Sequence, residues 1–200
     1  MREREGVTVA PAADVDESAE IGAGTRIWHL AQIRENAALG QNCNIGRGAY
    51  VGPGVVLGNN VKLQNYALVY EPARLADGVF IGPAAVFTND EFPRAVTPEG
   101  RLKTGDDWTA VAVTVGEGAA IGARAVCVAP VHVGRWALVA AGAVVTKDVP
   151  DFALVVGVPA RRVGWVGRAG QPLTAKGDDI WVCPSTGAEY VESDGVLTER

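Results

Sequence analysis

Histidine is nearly missing from this chain, with two among 200 residues, and cysteine and methionine are scarce at three and one. Two imidazoles cannot supply a three-histidine metal centre. Three thiols cannot pair off into a disulfide framework, and an odd, sparse set suits a reducing compartment. The net charge is −5 and the pI about 5.1. With the basic residues scattered rather than striped, no nucleic-acid partner is expected. No eighteen apolar residues run together, and Met1 to Gly6 is charged, so neither a membrane span nor a signal peptide is expected. The expected location is cytoplasmic, with no membrane partner.

What the chain does have is a period. From Val15 to Phe87 every sixth residue is large and apolar, running Val15, Ile21, Ile27, Ile33, Leu39, Ile45 and onward without a slip. Two places before each, from Ala19 onward, stands a small or β-branched residue such as Thr25, Ala31 or Cys43. A helix repeats near 3.6 and a half-buried strand at 2, so neither makes a strict six. Short strands joined by tight turns do, and three such units closing a triangular coil take eighteen residues, the pattern of a parallel β-helix. Glycine often follows the repeat position (Gly22, Gly40, Gly46, Gly52, Gly58, Gly82), where a corner is expected to need backbone freedom. Cys43 sits in the small slot and Cys127 in the large one; both read as core.

The period fails at Thr88 and resumes out of phase at Val113 and Val115. Residues 88–109 are therefore expected to leave the prism as a loop, and a long loop interrupting a regular solenoid points to function. Residues eighteen apart share an edge of the prism. Glu71 and Asn89 do so, each two places past a repeat position, with Tyr70 beside the first and the loop starting at the second. His29 is sixty residues from Asn89 and belongs to another edge. His132 lies between two inward valines and is expected to face outward.

Hexapeptide repeats, one excursion loop and the ending GAVVTKDVP…VVGVPAR resemble the left-handed β-helix acyltransferases that use acyl-CoA. Within them, IWHLAQI (27–33), VKLQNYALVYE (61–71), VFTNDEFPRA (86–95) and PARRVGWV (159–166) are similar to the sugar-nucleotide 3-N-acetyltransferases. The resemblance implies an all-β, left-handed parallel β-helix of about six to seven coils over residues 7–166. It also implies a homotrimer with sites between prisms, acetyl-CoA as co-substrate, and a UDP- or dTDP-linked 3-amino sugar as acceptor.

Acetyl transfer to a sugar amine needs an unprotonated nitrogen, a placed thioester and stabilisation of the developing oxyanion. Asn89 suits the amine or the acyl oxygen, Glu71 and Asp90 suit an ammonium or sugar hydroxyl, and Tyr70 lines the same corner. His29 is the histidine placed to be a substrate contact or base. Arg94 offers a donor fork to a diphosphate or carboxylate. For CoA, the resemblance implies Arg161 and Arg162 near a phosphate, with Lys147 as the lesser candidate there, and Ala141 and Gly142 along the arm. Plainer readings stand beside these: Asn89 as a turn cap, Glu71 as a solvated corner, His29 as interface packing, Arg94 as a loop ion pair.

Residues 167–200 resemble a worn zinc ribbon. Cys183-Pro184-Ser185-Thr186-Gly187 keeps a knuckle's outline with threonine in the second cysteine's place, and Gly167 and Ala169 occupy the spots where similar proteins carry the other pair. One sulfur ligand of four is too few for zinc, so a small metal-free β-hairpin extension is expected. Other function classes remain: an acyltransferase for another amine or a hydroxyl, and a non-catalytic sugar-binding solenoid. The solenoidal zinc carbonic anhydrases need three histidines, which this chain lacks.

Overall fold

The structure is a computed structural model that describes residues 6–200. Three parallel sheets form the faces of a prism. Face A runs from Thr8–Val9 through Arg26–Ile27, Asn44–Ile45, Lys62–Leu63, Phe80–Ile81, Ala120–Ile121 and Leu138–Val139 to Ala153–Val156. Face B stacks seven strands from Asp14–Val15 to Val144–Val145, and face C six from Glu20–Ile21 to Val131–Val133. Below the insertion each strand pairs in parallel with the one eighteen residues on, as in Arg26↔Asn44 and Gln32↔Tyr50. Such a parallel stack of coils is consistent with a left-handed β-helix.

The period is legible in the packing. Large repeat residues and their small partners both point inward: Ile45, Leu63, Ile81, Ala31, Ala67 and Ala85 have no exposed surface. Fully burying each large aliphatic contributes about 1.5–3 kcal/mol, and the narrow interior admits only a small residue beside it. Thr25, the buried polar residue of this core, is satisfied across coils, its Oγ1 donating to Gly40 O (3.0 Å) and accepting from Cys43 N (3.0 Å). Cys43 and Cys127 are both buried; burial pushes the Cys127 thiol up to about 12, which keeps it protonated and unreactive.

The expected reason for the corner glycines needs correction. Gly46 and Gly82 do not adopt the left-handed conformation. A Cβ on either would lie 2.6 Å from a backbone nitrogen of the next coil, that of Asn65 or Ala123. They are glycine because successive corners touch. The left-handed position lies two residues further on, where Gly48 (φ +63°) and Gly54 (φ +64°) alternate with Leu30, Asn36, Asn42 and Tyr66.

After Phe87 the pairing offset rises from 18 to 40, as in Leu75↔Val115 and Phe87↔Cys127, so the loop inserts 22 residues without disturbing the stack. At the other end Arg161–Trp165 pairs antiparallel with Ala153–Val156 and covers the last open strand edge of face A. The extension differs from a simple hairpin: Thr174–Gly177, Ile180–Val182, Glu189–Ser193 and Val196–Glu199 form a four-stranded antiparallel meander. Its buried Tyr190 meets Phe152 edge-on at 5.4 Å. Its Glu192 accepts hydrogen bonds from the indoles of Trp165 (2.8 Å) and Trp181 (2.9 Å). These contacts seal the end of the prism with a polar hub.

Candidate functional site

The B–C edge carries Glu35, Pro53, Glu71 and Asn89 on successive coils, then Ala129 and Lys147 above the insertion. The loop is rooted here. Thr88 Oγ1 accepts from Ala129 N at 2.9 Å, and Asn89 O accepts from Val111 N at 2.9 Å, which closes the neck. Asn89 therefore closes the turn with its main chain. Among the described residues its side-chain amide has no hydrogen-bond partner, so the turn-cap reading does not describe it. That cap is Asp90, whose Oδ1 accepts from Phe92 N at 2.9 Å.

One coil below, Glu71 lies against Gly52, so closely that a Cβ there would overlap its Oε2. Oε2 is buried and has no donor among the described residues. A buried carboxylate oxygen without a partner is costly, and an incoming N–H or O–H would relieve it. Glu71 is thus more than a solvated corner. Tyr70 packs on Tyr50 with ring centroids 4.9 Å apart. Burial first, then the Glu71 charge, push the Tyr50 hydroxyl up, while the Arg34 guanidinium pulls it back. Arg34 is in turn held by Glu35 in a two-point contact of 2.6 and 2.7 Å. Sequence reading passed over Tyr50 and Arg34 and named Gly52 only as a corner glycine; the spacing of eighteen sets Gly52 beneath Tyr70 and Tyr50 beneath Leu68 but does not say which side chains meet.

The loop's far part is a short ladder, with Val96 bridging Leu102, ended by a 3₁₀ turn at Gly105–Asp107. Arg101 clamps Asp107 at 2.6 and 3.0 Å. Arg94 donates only to Pro93 O and forms no ion pair among the described residues, so the loop-ion-pair reading does not fit it. Phe92 and Leu102 are 74% and 71% exposed.

The A–B edge is a second, separate corner. His29 lies there, three coils below Asn89, in a groove of about 200 Å³ with Trp28, Asn44, Arg47, Gln64 and Asn65. Ala141 and Gly142 fall on the same edge, two coils above the level of Asn89, and Gly142 N is committed to Ala123 O (2.8 Å). Lys147 is exposed on the B–C edge. Arg161 donates to Ala160 O, whereas Arg162 is engaged by Glu192 (3.3 Å) and lies over the Trp165 ring at 4.1 Å. His132 is exposed on face C, its Nδ1 2.8 Å from Thr114 Oγ1. No group of three or more His, Cys, Asp or Glu side chains is placed for a metal among the described residues. Cys183 Sγ meets Ser185 Oγ at 3.4 Å, and hydrogen bonds from Ser185 and Thr186 hold its thiol down to about 7.

Residues 18–53 match the family "Bacterial transferase hexapeptide (six repeats)", and residues 112–147 match "Hexapeptide repeat of succinyl-transferase". Both matches are to models of hexapeptide repeats. They fall on both sides of the insertion, so one repeat type builds the solenoid below and above the loop. The chain is 42% identical over 85 residues to the dTDP-3-amino-3,6-dideoxy-alpha-D-galactopyranose 3-N-acetyltransferase of Aneurinibacillus thermoaerophilus, a match covering 42% of this chain and 43% of that protein. It is 40% identical over 90 residues to the serine acetyltransferase of Escherichia coli K12, covering 44% and 32%. The matched stretches thus span less than half the length of these curated relatives. Among solved structures, LpxA, a UDP-N-acetylglucosamine acyltransferase from Bacteroides fragilis, superposes with TM-score 0.64 at 18% identity over 80% of this chain and 61% of that one. The acetyltransferase domain of PglB from Neisseria gonorrhoeae gives 0.51 at 24% over 78% and 57%. At these identities the two likenesses establish the fold.

Proposed function

We propose that the protein transfers an acetyl group from acetyl-CoA to the 3-amino group of a UDP- or dTDP-linked amino sugar. The observation that carries this reading is the donor-starved Glu71 Oε2 stacked one coil beneath the uncommitted amide of Asn89. A carboxylate and a neutral amide about 5 Å apart along the stack suit an amine that must be held and desolvated. The sugar-nucleotide 3-N-acetyltransferase with which the chain shares 42% identity supports the acceptor class.

In this mechanism Glu71 accepts a hydrogen bond from the sugar's amine or a neighbouring hydroxyl, and Asn89 donates to the carbonyl oxygen as it gains charge. The amine nitrogen bonds to the thioester carbon, the C–S bond breaks, and the proton lost by nitrogen goes to the departing thiolate. A hydroxyl acceptor, as in the serine acetyltransferase, demands a base at the acceptor. His29 lies three coils away and His132 on face C, which favours the amine.

The outward side of face B supports a homotrimer. That side carries Leu68, Val86, Val126 and Val144, a half-buried apolar ladder rising coil by coil, and the loop exposes Phe92 and Leu102. Face B is bounded by both corners described above. Three copies packed through it bring the B–C edge of one against the A–B edge of the next, and the site lies in that cleft. The odd, buried cysteine set fits a cytoplasmic enzyme, and no helix among the described residues is long and apolar enough to cross a membrane.

The test is thiol release from acetyl-CoA against a panel of UDP- and dTDP-linked 3-amino sugars. At least one acceptor is expected to raise the rate well above hydrolysis. A panel that leaves it at the hydrolysis level sinks the transferase reading.

A further inference from the structure

The A–B groove combines features that the acetyl-transfer chemistry does not use. Trp28 is 46% exposed, yet its ring nitrogen is fixed to Asn44 Oδ1 at 2.7 Å. Arg47 is exposed, and its Nε donates to Tyr66 OH at 3.3 Å. Arg26 and Lys62 point outward from face A on the coils immediately below and above Asn44. None of these three cations forms an ion pair among the described residues, although the whole chain carries a net charge of −5. An unpaired basic cluster around a pinned aromatic, in an acidic protein, fits an anion attached to a flat ring.

Heights along the prism say which anion. Coils rise by about 4.8 Å each. Counting down from the level of Asn89, Asn65 lies one coil below, Arg47 two and Trp28 three, or about 5, 10 and 14 Å. A sugar amine at Asn89 therefore has a sugar ring's length to reach Asn65, its diphosphate near Arg47 and its base near Trp28.

Resting on the function proposed above, we propose that this groove binds the nucleoside diphosphate of the acceptor, with Arg47, Arg26 and Lys62 around the diphosphate and Trp28 stacked on the base. His29 then contacts the nucleotide end of the substrate and is too far from the amine to be its base.

The experiment is calorimetric titration of the full chain with UDP, with dTDP and with inorganic pyrophosphate, alongside CoA. Wild-type protein is expected to bind at least one nucleoside diphosphate more tightly than pyrophosphate, and affinity falls as salt rises. Arg47→Ala is expected to weaken that binding about tenfold, with CoA affinity unchanged. Asn44→Asp, which places a negative charge between Arg26 and Lys62, is a second variant expected to weaken it as well. Nucleoside diphosphate binding within twofold of wild type in both folded variants overturns the groove assignment and leaves the function standing. CoA binding without any nucleoside diphosphate binding overturns both.

Discussion

At the scale of single residues, two positions matter most to the proposed site and differ in kind. Asn89 contributes a side-chain amide that no other described residue uses. Asn89→Ala is expected to lower turnover about 100-fold, as loss of an oxyanion donor does, with the oligomer and its melting temperature unchanged; a near-wild-type rate would remove Asn89 from the mechanism. Gly52 acts through space denied to others. The Cβ of Gly52→Ala would overlap Glu71 Oε2 and lie 2.8 Å from the Glu71 backbone nitrogen. The expected cost is about 1–3 kcal/mol of stability, read by urea denaturation, together with a fall in turnover as Glu71 is displaced. Unchanged stability in this variant would mean that the corner yields freely. Residue-level detail was the least legible part of the sequence. The period says that Glu71 and Asn89 share an edge, but not that Glu71 lies over Gly52, that Asp90 rather than Asn89 caps the turn, or that Tyr50 stacks on Tyr70. Those depend on side-chain directions at corners, which a spacing of six leaves open.

Among the elements, the loop is the place where sequence reading gained most, because its 22-residue insertion leaves the pairing of Leu75 with Val115 in register. What the sequence did not reveal is that the loop holds itself. The Arg101 guanidinium beside Asp107 holds that carboxyl far below the usual carboxylate range, with the Thr104 backbone amide adding to it. A depressed folded-state pKa means stabilisation that is present above the unfolded value near 3.9 and lost only as the pH falls through the lower folded value. Proteolysis within 94–104 is thus expected to be unchanged between about pH 5 and pH 8. Asp107→Asn is expected to speed cleavage there across that range, and cleavage that accelerates in the wild type between pH 8 and pH 5 would contradict the clamp. The C-terminal meander was legible only as a small β-hairpin extension, since antiparallel strands of differing lengths carry no period to count. Its join to the prism rests on Glu192, a contact between Trp165 and a strand 27 residues later that no local pattern announces.

For the whole molecule, the solenoid works as a ruler. Its parallel faces fix heights, so the proposed site is laid out along one cleft: Ala141 and Gly142 above Asn89 for the CoA arm, Glu71 and Asn89 at the transfer point, and Arg47 and Trp28 below for the nucleotide. In the proposed trimer the cleft exists only between copies, because its two walls are opposite edges of face B. That requirement is the central claim, and subunit complementation tests it most directly. Asn89→Ala damages the B–C edge and Arg47→Glu the A–B edge, so each homotrimer alone is nearly inactive at low acceptor concentration. When the two variants are co-expressed and assemble at random in a closed three-fold ring, about a quarter of the clefts join two intact edges, and activity near a quarter of wild type is the expected result. Mixed trimers no more active than the two parents would contradict a site built between copies.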